Sequence, residues 1–233
     1  MKKNKWTKKE MIWLTSNILI IASSAIIVGN INIVSLAAAL LGVIYAICIM
    51  KNERVAFIYG IGNVTLIGIS LFAEKAYSGA IYNLVYSLPM MIVGFIHWGK
   101  VENKKGSGIK KLSAKTHNDL IVGVAVAIVL TMFVLKNLGA ENIALDATIS
   151  VLGYIGIFLM TNKYIEQWTV WILSNLLNTT LWLILTIESA QNIPILLMWI
   201  VYTLNSVFGY LSWKKKYVDT DLVVLAKRRG QEM

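Results

Sequence analysis

The chain has 233 residues, 57% of them hydrophobic and only 15% charged, with a mean hydropathy of +0.66. Soluble domains average about 45–50% apolar and about 25% charged, so an ordinary soluble domain is excluded and an all-α membrane protein is expected. The net charge of +10 is dispersed as short basic flanks of apolar runs. That is the pattern of topology determinants and speaks against a nucleic-acid partner.

In chain order, residues 1–32 hold a basic tail with Lys2, Lys3, Lys5, Lys8 and Lys9, then an apolar segment, 12–28. No small-residue cleavage site follows, so the segment is read as a retained extra helix. The segment is short and carries Asn17, Ser23 and Ser24, fitting a peripheral addition to a seven-helix core. Residues 33–98 carry segments 33–50, 55–73 and 79–98. Residues 99–142 carry a basic loop and a linker segment, 119–137. Residues 143–213 carry segments 143–160, 168–188 and 193–213, and 214–233 form a basic tail. Most segments approach the roughly 20 residues a helix needs to cross a bilayer. None alternates as a barrel strand would.

With eight crossings, only Lys75 and Lys136 of the 22 lysines and arginines fall on one face. The positive-inside rule then puts both termini in the cytoplasm of a multi-pass protein in the cell's inner or plasma membrane. Cys48 is the single cysteine, so an internal disulfide is excluded. His97 and His117 lack metal-ligand spacing, and no metal or cofactor is expected.

Shifted by 115 without gaps, the chain weakly matches itself. Ser35 meets Ser150, Val55 meets Val170, Asn63 meets Asn178, Thr65 meets Thr180, Gly94 meets Gly209 and Trp98 meets Trp213. This predicts two parallel three-helix bundles, 33–98 and 143–213, joined by a linker helix, with a substrate site between them.

The segment "QWTVWILSNLLNTTLWLILTI" is polar for a span. At 100° per residue, Trp168, Trp171, Asn175, Asn178 and Trp182 share an arc of about 80°. Met198, Tyr202, Asn205 and Gly209 share a face of the last segment. Tyr59, Asn63, Leu66 and Ser70 share one in segment 55–73. Tyr82, Tyr86 and Pro89 share one beside Asn83. Asn63 and Asn178 suit a ligand or a neighbouring helix equally. Trp13, Trp98 and Trp213 lie near span ends, where indoles form interfacial belts. Pro89 marks a kink. No Asp, Glu, Lys or Arg sits mid-span, which argues against proton coupling and for a neutral solute or a delocalised cation. Aromatic faces with side-chain amides suit a flat ring bearing hydroxyls or an amide. No catalytic constellation is present in the spans, so an enzyme is not expected.

The stretch "TNKYIEQWTVWILSN" resembles the W-x-x-W-x-x-x-N region of PnuC-type vitamin transporters. "KNERVAFIYGIGNVTLIGISLF", the "HWGK" ending segment 79–98 and "YTLNSVFGYLSW" extend the resemblance over residues 33–213. The resemblance implies a SWEET-like fold and uptake of nicotinamide riboside by facilitated diffusion, trapped by a cytoplasmic kinase. It implies that Trp168, Trp171 and Asn175 line the site, with Tyr202 and Asn205 from the last helix. Where such sequences often carry Gln, this chain carries Asn83. Thiamine, riboflavin, a (deoxy)nucleoside, or a sugar on a SWEET-like carrier, remain alternative substrates, and a homo-oligomer stays open.

Overall fold

The computed structural model describes residues 6–27, 33–73, 75–102, 107–137 and 142–231. Each apolar run is helical. The elements are α1 (Lys8–Ile27), α2 (Ile33–Lys51), α3 (Ala56–Ala73), α4 (Tyr77–Ile81), a π-helical turn over Tyr82–Ser87, α5 (Leu88–Glu102), α6 (Ala114–Asn137), α7 (Ile143–Thr161), α8 (Gln167–Glu188), a 3-10 turn over Ala190–Asn192 and α9 (Ile193–Gln231). Among the described residues the only extended pairing is one bridge between Lys110 and Tyr164. Helices dominate because a backbone in hydrocarbon must satisfy its own hydrogen bonds. Among the described residues seven spans are long and apolar enough to cross a membrane: α2, α3, the rod from Tyr77 to Val101, α6, α7, α8 and the first part of α9. The basic tail does not begin a new element, since α9 continues through it to Gln231.

Helix α1 is not among the seven, and the last residue of the expected segment, 28, lies outside the described residues. It is nonetheless integrated rather than peripheral. It packs on α2 and α9, with Asn17 only 1% exposed. Its start is a capping box: Thr7 N–H donates to Glu10 Oε2 at 2.8 Å, and Glu10 N–H donates to Thr7 Oγ1 at 3.2 Å. Glu10 also pairs with the buried Lys51 ammonium at 2.9 Å, which lies 4.5 Å from the Trp6 ring centroid.

Equivalent interactions recur in α2–α3–α5 and α7–α8–α9. Asn52 (φ 63°) and Lys163 (φ 61°) both end a helix in the left-handed region. Asn52 N–H donates to Ile49 O and Lys163 N–H to Met160 O; Glu53 N–H donates to Cys48 O and Tyr164 N–H to Leu159 O. These pairs are 111 residues apart, not 115. Further on, 115 holds. A methyl group on Gly94 would strike Phe57, and one on Gly209 would strike Trp168. Packing is reciprocal: α2 lies against α9 and α5 against α7.

Trp98 and Trp213 are not interfacial. They are 1% and 0% exposed, with ring centroids 5.8 Å apart. Trp98 Nε1–H donates to Met160 O at 3.2 Å and Trp213 Nε1–H to Ile49 O at 2.9 Å. Each indole thus bonds the helix end of the opposite set. A buried N–H left unbonded would cost about 1–3 kcal/mol, so the pair ties the two sets together. Helix α6 has no buried residue and packs chiefly on α7. Its outward face of Ile121, Val122, Val126, Val129, Leu130 and Phe133 is apolar and exposed, as lipid contact requires.

Candidate functional site

A cavity of about 280 Å³ lies between α2, α3, the π-helical turn and α5 on one side and α7, α8 and α9 on the other. Of the residues expected from sequence, Trp168, Trp171, Asn175, Tyr202, Asn205, Asn83, Asn63 and Tyr82 line it together. Asn178, Trp182, Tyr59 and Tyr86 do not border it.

The omissions have physical causes. Trp182 shares the azimuth of Asn175 but lies seven residues on, about 10 Å along the axis, beyond the cavity. Asn178 is buried and donates to Ser174 O in its own helix at 2.9 Å. Tyr59 packs against the apolar core. Tyr86 is turned towards α7, where its hydroxyl donates to Tyr154 O at 2.7 Å and its ring meets Tyr154 at 4.6 Å.

Just before Pro89 the rod widens into the π-helical turn over Tyr82–Ser87. Proline lacks an N–H and crowds the preceding turn. One turn upstream the backbone shifts to wider bonds, with Leu88 N–H donating to Asn83 O and Ser87 Oγ–H to Tyr82 O at 2.9 Å. Such turns concentrate at functional sites, and here Tyr82, Asn83 and Ser87 all reach the cavity.

Glycines seat the rings. A methyl group on Gly156 would lie 2.8 Å from Trp171 Cζ2, one on Gly153 2.8 Å from Tyr82 Oη, and one on Gly42 2.7 Å from Tyr202 Oη. Small residues let a helix accept a large neighbour at close range, so four cavity rings, Trp168 on Gly209 included, rest on glycines of adjacent helices.

The amides are oriented by the helices. Asn175 Nδ2 donates to Tyr202 O at 3.1 Å and Ser206 Oγ at 2.8 Å. Both its N–H groups are engaged, which leaves Oδ1 as its offering to a ligand. Asn63 Nδ2 donates to Ala38 O at 2.7 Å and Asn83 Nδ2 to Gly79 O at 2.9 Å. The Tyr45 hydroxyl donates to Met160 Sδ at 2.6 Å. Trp168 is 3% exposed, and its buried Nε1–H has no acceptor among the described residues. Among the described residues, none that lines the cavity is Asp, Glu, Lys, Arg or His.

Sequence reasoning missed Tyr45, Ser87, Met91, Met160, Trp199 and Ser206, all of which line the cavity. Trp199, Tyr202 and Ser206 share a face rotated by about 60° from the stripe read on α9. Centring the stripe on aromatic and hydroxyl residues rather than on Met198 finds it.

A profile described as nicotinamide mononucleotide transporter matches residues 32–215. The chain belongs to this family. A nicotinamide riboside transporter PnuC of Neisseria mucosa is 27% identical over 217 residues, covering 90% of this chain and 82% of the relative. One of Haemophilus influenzae is 32% identical over 132 residues, covering 55% of each. The crystal structure of the vitamin B3 transporter PnuC superposes with a TM-score of 0.77 at 26% identity, covering 93% of this chain and 94% of the other. This member of the PnuC family is therefore a multi-pass membrane transporter for a small molecule rather than an enzyme. Its helical architecture is that of the solved PnuC structure and is compatible with a SWEET-like arrangement.

Proposed function

We propose that this transporter carries nicotinamide riboside by facilitated diffusion, with cytoplasmic phosphorylation trapping the product. The observation that carries the reading is an aromatic and amide cavity without an ionisable lining group apart from tyrosine. The family's description is of a mononucleotide and the relatives' names are of a riboside, and the two solutes differ by a phosphate. A phosphate calls for Arg, Lys or a helix N-terminus, and no cation lines the cavity. The uncharged ribose and the delocalised pyridinium charge suit it: indole and phenol faces attract such a cation, and amides read hydroxyls and a carboxamide. Trp168 Nε1–H is a buried donor that a ligand oxygen would satisfy.

The absence of an acidic or basic group in the cavity also supports uniport, since proton relays use intramembrane ionisable groups. The basic residues at the ends of α2, α7 and α9 and in the loop before α6 support the cytoplasmic assignment of that face. The test is calorimetry on purified protein and uptake into proteoliposomes without ion gradients. Nicotinamide riboside is expected to bind and enter, and the mononucleotide is not. Preference for the mononucleotide, thiamine, riboflavin or a deoxynucleoside overturns the assignment. Uptake that collapses with an uncoupler before any trapping overturns uniport. Trp168→Phe keeps a ring but removes the N–H, and is expected to weaken riboside binding about three- to ten-fold; unchanged affinity removes the hydrogen-bonding role.

A further inference from the structure

Asn205 lines the cavity, yet its amide is held from outside the two helix sets. Trp13 Nε1–H on α1 donates to Asn205 Oδ1 at 2.7 Å. Asn205 Nδ2 donates to Asn17 Oδ1 at 2.8 Å. Asn17 Nδ2 in turn donates to Trp13 O at 2.7 Å. An indole N–H can only donate, so it forces the oxygen of Asn205 towards itself. The Asn17 amide, anchored by its own N–H on a backbone carbonyl, can then offer only its oxygen. The ring of Trp13 is held edge-on against Phe208 at 4.8 Å. Asn17 and Asn205 are 1% and 3% exposed. A flipped Asn205 would face donor with donor and acceptor with acceptor, in a buried setting where unpaired polar groups are costly.

We propose that α1 is a positioning element of the transport site. Through Trp13 and Asn17 it fixes Asn205 so that the amide's remaining N–H is the donor available to an oxygen of the substrate. This complements Asn175, whose engaged N–H groups leave it an acceptor. Trp13 and Asn17 are positioning residues and do not line the cavity themselves. The inference rests on the proposed transport of nicotinamide riboside through this cavity.

The test is a double-mutant cycle of riboside affinity on full-length protein, with thermal stability measured in parallel. Asn17→Ala is expected to weaken binding about three- to ten-fold. In an Asn205→Ala background the same change is expected to cost less than about two-fold, because the pair acts as a unit. Unchanged affinity in Asn17→Ala overturns the proposal. So does a loss that is equal with and without Asn205, which would be a general packing effect. A ligand-free arm separates failure of the inference from failure of the function. In protein labelled with 15N-asparagine, the Asn205 side-chain resonance is identified by its loss in Asn205→Ala. It is expected to shift in Asn17→Ala and in Trp13→Phe, and an unmoved resonance overturns the tether whatever the substrate is. Wild-type protein that binds no riboside sinks the proposed function, while the resonance still decides whether α1 holds Asn205.

Discussion

Replacing Gly156 by alanine tests whether the rings of the site are positioned by the glycines beneath them. The added methyl would lie 2.8, 2.9 and 3.1 Å from Cζ2, Cε2 and Cη2 of Trp171, where ordinary contact begins at 3.4 Å. The indole must therefore retreat by about 0.6 Å. Gly156 is on α7 and Trp171 on α8, and Trp171 borders the cavity, so that space is what the ring can yield into. Overpacking costs typically about 1–3 kcal/mol when nothing can move. Alanine in a helix interior returns roughly 1 kcal/mol relative to glycine. The net effect on thermal stability is therefore small, about 0–2 kcal/mol. Affinity responds more, because a displaced ring stacks poorly and stacking on an aromatic ring is worth about 1–3 kcal/mol. We expect nicotinamide riboside to bind roughly ten-fold more weakly to Gly156→Ala by calorimetry, with a melting temperature close to that of the wild type. Gly123→Ala on α6 is the control. A methyl there meets nothing within 4 Å, so affinity should be unchanged and stability equal or slightly higher. Affinity within two-fold of wild type in Gly156→Ala would refute the seating argument.

Three further perturbations probe the frame around the site. Asn175→Ala removes two hydrogen bonds from α8 to α9. Such bonds are worth about 0.6 kcal/mol each on average in membrane proteins, so a loss of about 1–2 kcal/mol is expected in chemical or thermal unfolding, and no loss would count against the assigned bonds. Gly108→Ala places a side chain at φ +68° and against Val101. The left-handed conformation alone costs about 1–2 kcal/mol, so the segment joining α5 to α6 should open to limited proteolysis, and unaltered cleavage would contradict this. Burial raises the Glu10 carboxyl, but its bonds with Thr7 and Lys51 outweigh that and hold it below its ordinary value of 4.5. The stabilisation is thus present above that value and is lost as pH falls through the lower, folded one. Glu10→Gln should flatten the acid limb of a thermal-stability profile; equal slopes in the two proteins would exclude the contribution.

The sequence resolved direction around a helix far better than distance along it. Of the stripe on α8, Trp168, Trp171 and Asn175 reach the cavity, but Trp182 shares their azimuth and lies outside it. Periodicity carries angle and no depth. The exclusion of Tyr86 was illegible because the π-helical turn over Tyr82–Ser87 breaks the 3.6-residue period from which its face was read. The tether on Asn205 was illegible for another reason. Trp13 and Asn17 are 192 and 188 residues away in sequence, and only tertiary packing brings them together.

The same limitation explains why an ungapped self-match is out of register at the start of each helix set and in register at its end. The structural offset is 111 at the turns after α2 and α7 and 115 for Gly94 with Gly209. Helix α3 has 18 residues and α8 has 22, so the four extra residues lie in α8, about one helical turn. A slip of four residues rotates a helix by only about 40°, so apolar faces still overlay apolar faces. Asn63 thereby meets Asn178, although only Asn63 borders the cavity. With 111, Phe57 meets Trp168, and the two do equivalent work. Phe57 packs edge-on against Trp98 at 5.0 Å, and Trp168 packs edge-on against Trp213 at 5.8 Å. Of that pair, Trp168 lines the cavity and Phe57 does not. The larger ring in the second set extends the shared aromatic packing into the cavity and supplies a buried N–H. The asymmetry of the site thus arises at a position where the two sets otherwise match.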